Sequence, residues 1–132
     1  MKFSRQSRLL RPAEFKQVFQ QAVRSGDHCF RVLARPNGIQ RHRLGMAVSK
    51  KACPKAVGRN RIKRVVRENF RSQMTGQTQG QTLDFVVLST EQTANENNKI
   101  LDQSLSAHWQ RLIRKADDRN GGNPQSRLRT HR

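Results

Sequence analysis

The sequence predicts a small α+β domain in which helices pack on a single β-sheet. The chain has 132 residues, which is enough for one domain with a modest hydrophobic core. Segments with the 3.6-residue period of a helix also alternate with segments of strand character. Their order along the chain is helix, strands, helix, strand, helix, and no internal repeat is visible.

The first predicted helix begins at Pro12, because the fixed φ of proline suits a first helical position. Residues 1–11 before it are basic and polar, and we expect them to form a flexible arm. Glu14 complements the positive end of the helix dipole. Apolar residues recur at helical spacing before Gly26 ends the segment, and these are Phe15, Val18, Phe19 and Ala22.

Two strands are expected next, at Cys29–Arg35 and Arg43–Ser49, separated by the turn residues Pro36-Asn37-Gly38. In the first strand Phe30, Val32 and Ala34 alternate with Arg31, Leu33 and Arg35. In the second, one face carries Leu44, Met46 and Val48, and the other carries only the small residues Gly45, Ala47 and Ser49. Small side chains leave that face open to close approach by another group.

A basic helix is predicted from about Arg59 to Met74. Pro54 and Gly58 in the preceding loop, KKACPKAVG, rule out one helix continuous with the strand. A further short strand could lie within Ala47–Val57, so the strand count stays open. One face of the helix is apolar and suits a core, and it carries Ile62, Val65, Val66, Phe70 and Met74.

The opposite face of this helix carries a row of polar and basic side chains at steps of four, three and four: Asn60, Arg64, Arg67 and Arg71. Glu68 is the single carboxylate between Gly58 and Arg71. Like charges at this spacing repel one another, whereas the guanidinium fork matches phosphate oxygens. A solvated charged face is the plainer interpretation. The sparse counter-charge and the nearby Lys50, Lys51 and Lys55 favour contact with nucleic acid.

The C-terminal part predicts one strand and one long helix. The run Leu83–Leu88 is largely apolar, as expected for a strand that is buried on both faces. Thr93-Ala94-Asn95-Glu96 fits a capping box that opens the last helix, whose apolar stripe is Leu101, Leu105, Trp109 and Leu112. Residues 117–132 lack periodicity and predict a disordered basic tail, so residues 1–116 form the expected domain.

The composition is strongly basic, with 27 Lys and Arg residues against 9 Asp and Glu residues and a formal charge of +18. Such a chain attracts polyanions, and nucleic acid is the expected partner, although charge alone does not separate RNA from DNA. A membrane surface is the alternative, but no apolar run approaches the roughly 20 residues that span a bilayer. Because the N-terminus also lacks the apolar core of a secretory signal, we expect a cytoplasmic protein without a membrane partner.

Neither an active site nor a metal site is expected from the residue pattern. The acidic residues are dispersed, and Asp84 is the only one in a predicted strand. The sequence contains no HExxH, GxSxG or P-loop motif. Cys29 and Cys53 form no CxxC pair, and the four histidines are scattered, so reduced thiols and no zinc site are expected.

The segment RNRIKRVVRENF resembles the protein subunit of bacterial ribonuclease P. The signature of that family, an Arg-Asn-Arg helix that continues as Ile-Lys-Arg, is matched without a gap by Arg59, Asn60, Arg61, Ile62, Lys63, Arg64 and Arg67. The similarity extends to the first helix, RLLRPAEFKQVFQ, to RLGMAVSKKACPKAVGRNRIKR and to LDFVVL. It covers about residues 5–115.

The resemblance implies a compact two-layer αβ sandwich, with about four strands, three helices and a left-handed β-α-β crossover. It also implies the protein component of a ribonucleoprotein endonuclease for tRNA processing. In that enzyme the RNA subunit is the catalyst, holds the Mg²⁺ ions and removes the 5′ leader of precursor tRNA by hydrolysis. The protein would bind the catalytic RNA and the single-stranded leader, broaden the substrate range and associate as one protein per RNA.

The resemblance assigns two groups of RNA-binding residues. The catalytic RNA would be bound by Arg59, Asn60, Arg61, Lys63, Arg64, Arg67 and Arg71. The leader would lie in a groove between the first helix and the sheet, lined by Phe15, Phe19, Arg31, Leu33, Lys50 and Lys51. By helical spacing alone, Phe15 and Phe19 are more typical of a hydrophobic core than of a surface that stacks on bases. Family members often carry an aromatic residue near Leu33, whereas this chain has no tyrosine.

Two other functions remain open on the residues alone. A ribosomal protein or an RNA chaperone could use the same basic helix as a structural contact to RNA. A self-sufficient nuclease would need positioned acid and base groups that the sequence does not bring together.

Overall fold

The computed structural model describes residues 12–20, 22–39, 41–74 and 82–120, so the predicted arm and residues 121–132 lie outside it. Three helices and four strands are seen in these residues, with a 3₁₀ turn at Thr93–Asn95. In chain order they are α1 (Pro12–Gln20), β1 (Val23–Gly26), β2 (Phe30–Pro36), β3 (Arg43–Ala47), α2 (Ala56–Met74), β4 (Leu83–Ser89) and α3 (Asn98–Asn120).

The four strands form one mixed sheet in the order β1-β2-β4-β3. β1 is antiparallel to β2, and β2 is antiparallel to β4. β3 is parallel to β4, and α2 is the crossover between these two neighbours. The α+β class with three helices and a four-stranded sheet is therefore confirmed, while the left-handedness of the crossover stays a prediction.

The main core lies between one face of the sheet and the pair α2 and α3. At its centre Phe70 of α2, Phe85 of β4 and Trp109 of α3 contact one another edge to face, with ring centroids 5.0–6.0 Å apart. The predicted apolar residues of both helices are buried there, namely Ile62, Val65, Val66, Phe70, Met74, Leu101, Leu105, Trp109 and Leu112. This packing turns the charged side of α2 away from the sheet.

A smaller cluster covers the opposite face of the sheet. Val18 of α1 packs there on Leu33 of β2 and Val86 of β4, and Phe15 and Leu88 border them. The sheet is therefore covered on both faces where β2 and β4 run side by side. This arrangement accounts for the largely apolar run of β4, as the sequence predicted.

Strand β1 differs from the expectation, because the apolar pattern predicts that the first helix continues to Gly26. Instead α1 ends at Gln20, and Val23–Gly26 pairs with residues 31–34 of β2. The turn between the strands is held by Asp27, whose Oδ1 accepts hydrogen bonds from the backbone N–H groups of Cys29 and Phe30, both at 2.9 Å. Pairing across this turn outweighs the short apolar pattern that indicated helix.

The basic helix begins earlier than predicted, at Ala56, and includes Gly58. A Cβ atom at position 58 would lie 2.8 Å from Cys53 Sγ, so glycine lets the first turn of α2 approach the loop closely. Among the described residues no strand lies between β3 and α2, which excludes the further strand considered within Ala47–Val57.

The predicted capping box does not open the last helix. Thr93 is buried in the 3₁₀ turn, where its hydroxyl donates to the backbone carbonyl of Cys29. The cap of α3 is Asn97, whose Oδ1 accepts a hydrogen bond from the backbone N–H of Ile100 at 2.9 Å. At its other end α3 continues through Asn120, four residues into the segment that was expected to be a disordered tail.

Candidate nucleic-acid interface

The outward face of α2 is a dense row of cations. The helix carries six Lys and Arg residues and one carboxylate, Glu68. Asn60, Arg64 and Arg71 are exposed, and Lys63 and Arg67 are half-buried. Within the described part of the chain, neither Arg64 nor Arg67 has a hydrogen bond or an ion pair to another protein group. Their guanidinium donors are therefore available to an anion in solution.

Two arginines of the same helix are engaged by the protein itself. Arg59 Nη1 donates to the backbone carbonyls of Cys53 at 3.0 Å and Pro54 at 2.7 Å, which fastens the loop before α2. Arg61 donates to Asn98 Oδ1 at 2.6 Å and to the carbonyl of Glu96 at 3.1 Å. The predicted RNA-binding set is thus divided into side chains that hold neighbouring segments and side chains that face outward.

On the α1 side of the sheet, three of the residues predicted to bind the leader border a cavity of about 430 Å³. Phe19, Arg31 and Leu33 line it together with backbone and side chains of β1. Phe19 is 39% exposed and packs edge to face on Phe15, with ring centroids 6.4 Å apart. Phe15 does not line this cavity and Leu33 is 7% exposed, so Phe19 is the exposed large apolar side chain among the described lining residues.

A second cavity of about 480 Å³ lies beyond Arg31 and includes Lys51, His28 and the end of β4 at Ser89. Arg31 lines both cavities, so an apolar surface at Phe19 is joined to a basic one at Lys51. Lys50 is exposed beside Lys51 but lines neither cavity. Four of the six predicted groove residues, Phe19, Arg31, Leu33 and Lys51, therefore line two cavities that meet at Arg31.

A buried polar network braces β1 against α3, and sequence reasoning did not find it. Arg111 Nη1 donates to Ser25 Oγ at 2.5 Å, and Ser25 Oγ lies 2.6 Å from His108 Nδ1. His108 Nε2 lies 3.2 Å from Asp27 Oδ1, and Ser104 donates to Asp27 Oδ2 at 2.7 Å. With Ser25 Oγ accepting from Arg111, a Ser25 hydroxyl that donates to His108 Nδ1 corresponds to the tautomer with the ring proton on Nε2, on the side of Asp27.

Burial and hydrogen bonding together shift the pKa values of Asp27 and His108 in this network. Burial raises the pKa of Asp27, but hydrogen bonds from Ser104 and the Phe30 amide, together with the nearby His108 imidazole, outweigh it, and the pKa falls to about 2. Burial lowers the pKa of His108, which is fully buried, below its ordinary value. Ser25 is itself buried and engaged on both sides, so this Ser-His-Asp arrangement holds elements together and offers no exposed nucleophile.

Asp84, the acidic residue that the sequence predicts in a strand, is also hydrogen-bonded within the protein. Asp84 of β4 accepts two hydrogen bonds from Arg43, each at 2.8 Å, and one from Asn37 Nδ2 at 2.7 Å. This bidentate pair fastens β3 to β4 at the start of both strands. Among the described residues, the one group of three or more potential metal ligands combines His28, Cys29 and Glu96.

Comparison with known proteins gives a consistent family. A family model described as Ribonuclease P matches residues 3–113. The chain is 46% identical, over 113 residues, to the ribonuclease P protein component of Methylococcus capsulatus, and the match covers 86% of each chain. It also resembles the solved RNase P protein of Staphylococcus aureus, with a TM-score of 0.68, 28% identity and coverage of 79% of this chain and 93% of that one. For the Thermotoga maritima RNase P protein the TM-score is 0.66, at 29% identity, with coverage of 80% and 96%.

None of the described helices combines the length and the apolar character that crossing a membrane requires.

Proposed function

The chain belongs to the ribonuclease P protein family, and on that basis we propose that it assists a catalytic RNA in removing the 5′ leader of precursor tRNA. The observation that carries the proposal is the outward face of α2. Arg64 and Arg67 lie on it without protein partners among the described residues, in the part of the helix that matches the family signature. Unpaired guanidinium groups at helical spacing suit successive phosphates of a folded RNA.

In this proposal α2 binds the catalytic RNA, and the surface from Phe19 to Lys51 binds the leader. A single-stranded leader offers unstacked bases and a charged backbone. Phe19 supplies an exposed ring for one base, while Arg31 and Lys51 face the phosphates that follow. Mature tRNA lacks the leader, so this surface favours the precursor over the product. Contacts to the leader alone also allow a broad range of substrates.

Bond cleavage belongs to the RNA in this proposal, which also holds the Mg²⁺ ions. Two acidic side chains are occupied by protein groups: Asp84 by Arg43 and Asn37, and Asp27 by Ser104 and two backbone amides. The protein instead lowers the repulsion between two polyanions, one catalytic RNA and one precursor, each bound to a different face of one protein. The holoenzyme would act in the cytoplasm.

Reconstitution tests the proposal. Ribonuclease P RNA is assayed on precursor tRNA at low Mg²⁺, with and without the protein, and the protein is expected to increase the cleavage rate at the leader junction. Arg114→Ala removes one positive charge at an exposed position of α3 outside both predicted surfaces, and it should increase the cleavage rate as the parent protein does. Absence of any increase would instead favour a ribosomal or chaperone role. Cleavage by protein freed of all RNA would overturn the proposal and establish a nuclease.

A further inference from the structure

Three potential metal ligands from distant parts of the chain meet where the β1–β2 turn packs against the segment before α3. His28 Nε2 lies 3.5 Å from Cys29 Sγ and 2.8 Å from Glu96 Oε2. The three ligand atoms all lie within 4.8 Å of one another. We propose that His28, Cys29 and Glu96 form a binding site for one zinc-class divalent cation.

The separation of nitrogen and sulfur matches a tetrahedral site closely. With Zn–S near 2.3 Å and Zn–N near 2.05 Å, tetrahedral angles place the nitrogen and the sulfur about 3.5 Å apart. His28 Nε2 and Cys29 Sγ already have this separation, at 3.5 Å. The nitrogen–oxygen edge of the same tetrahedron is about 3.3 Å. The Glu96 carboxylate would therefore retreat by roughly 0.5 Å from its present hydrogen bond, a small change for a partly exposed side chain.

The backbone that carries the ligands is held in place independently of any ion. The Cys29 amide donates to Asp27 Oδ1 at 2.9 Å, and the His28 carbonyl accepts from Thr90 Oγ1 at 2.6 Å. The Glu96 carbonyl accepts from Arg61 Nη2 at 3.1 Å. Because these contacts fix the chain on both sides of the cluster, the binding of an ion would order side chains alone.

The donor set selects the class of ion. Sulfur and imidazole nitrogen are soft or borderline ligands that favour Zn²⁺ and disfavour Mg²⁺, which prefers oxygen. Binding replaces the thiol proton of Cys29, so the thiolate and the carboxylate neutralise the dication and one proton is released to solvent. Three protein ligands leave the fourth position to water. The His28 side chain is 58% exposed, which gives the ion a route from solvent.

The plain alternative is an ion pair between His28 and Glu96 beside a buried thiol. An ion pair accounts for the 2.8 Å distance between His28 Nε2 and Glu96 Oε2, but it does not account for the position of Cys29 Sγ beside the imidazole. A bound ion would tie the β1–β2 turn to the segment before α3, which Arg61 also contacts. Because a ligand that binds only the folded state stabilises it, metal would raise the melting temperature of the protein.

The test uses the full-length reduced protein, freed of RNA and metal, and titrates it with Co²⁺ alone and then with Zn²⁺. One Co²⁺ per chain should give thiolate-to-cobalt charge-transfer absorption, which Zn²⁺ abolishes by displacement. Cys29→Ser should remove this absorption, and His28→Gln and Glu96→Gln should each weaken binding at least tenfold. Cys53→Ser is the matched control, since Cys53 is also a buried free thiol, and it should bind as the parent does.

His28→Gln keeps the test decisive if Cys29→Ser fails to fold, because His28 is exposed and its loss leaves the core intact. A protein that shows no charge-transfer absorption and no Zn²⁺-dependent rise in melting temperature would overturn the site. So would absorption that survives Cys29→Ser or disappears with Cys53→Ser. These measurements contain no RNA, so their outcome is independent of the role proposed in tRNA processing.

Discussion

Arg61 Nη1 donates a hydrogen bond to Asn98 Oδ1 at 2.6 Å, and this contact joins the basic helix to the first turn of α3. The same guanidinium donates to the carbonyls of Glu96 and Ala94, at 3.1 and 3.4 Å. Three residues further along, Arg64 is exposed and has no protein partner among the described residues. Of these two arginines in one motif, Arg61 therefore joins parts of the fold, whereas Arg64 is available to another molecule.

Arg61→Ala is expected to lower the free energy of unfolding by about 1–3 kcal/mol, because it removes the hydrogen bond to Asn98 and those to the half-buried carbonyls of Ala94 and Glu96. Urea denaturation measures the change. Arg64→Ala is the matched control and should leave stability within about 0.5 kcal/mol of the parent. Equal stability of the two variants would show that the Arg61 contacts contribute nothing to the fold.

Arg64→Ala and Arg67→Ala are expected to weaken binding to the catalytic RNA without lowering the melting temperature. Each substitution removes one phosphate contact and so reduces the slope of log affinity against log salt by about one unit. Filter binding across a salt series measures the slope, with Arg114→Ala as the control for net charge. A large fall in melting temperature would mean that these two side chains are structural, and an unchanged slope would place the RNA elsewhere.

Phe19→Ala is expected to weaken binding of precursor tRNA more than binding of mature tRNA. Loss of one stacked base costs about 1–3 kcal/mol, and only the precursor carries the leader. The comparison uses the reconstituted holoenzyme and both RNAs. Val57→Ala is a suitable control, since Val57 is an exposed apolar residue on α2, 80% accessible and outside the groove. Equal losses for both RNAs in a folded variant would argue against a leader contact.

Asn69 joins the two helices of the main core, and Asn69→Ala is expected to destabilise the protein by about 1–3 kcal/mol. Its Oδ1 accepts from Trp109 Nε1 at 2.7 Å, and its Nδ2 donates to Asp102 Oδ1 at 3.1 Å. The substitution leaves the buried indole N–H without its acceptor. Thermal and urea unfolding measure the effect, and Gln103→Ala, at an exposed amide of α3, should be nearly neutral.

The network of Asp27 and His108 predicts a loss of stability in acid. The folded-state pKa of Asp27 is about 2, below its ordinary 3.8, so its contribution is complete above about pH 4 and is lost as the pH falls toward 2. Burial likewise holds the pKa of His108 below 6.5. The unfolded chain then binds the extra proton first, and stability declines as the pH falls below about 6.5.

Urea titrations from pH 7 to pH 2 measure this dependence. Between about pH 4 and pH 2, Asp27→Asn should reduce the fall in the free energy of unfolding by on the order of 1 kcal/mol. The effect is small because solvent screens a carboxylate that is partly exposed. Asp118→Asn is the control, because Asp118 is exposed on α3. If both variants keep the acid dependence of the parent, Asp27 does not carry it.

Local pattern was enough to predict α2, the interior of α3, and the strands β2 and β4. Their apolar periodicities depend on residues three, four or two positions apart, and these residues pack on the core as predicted. The arginine row on α2 follows from the same periodicity, because a helix whose apolar side is buried must turn its other side outward.

Long-range contacts decided the rest. β1 exists because β2 pairs with it. α3 begins at Asn98 with Asn97 as its cap, because the Thr93 hydroxyl is hydrogen-bonded to the carbonyl of Cys29. The separate roles of Arg61 and Arg64 depend on residues more than thirty positions away. Cys29 and Glu96 likewise meet only when the β1–β2 turn packs against the segment before α3. Residues so far apart share no periodicity, so only the packing of the folded chain brings them together.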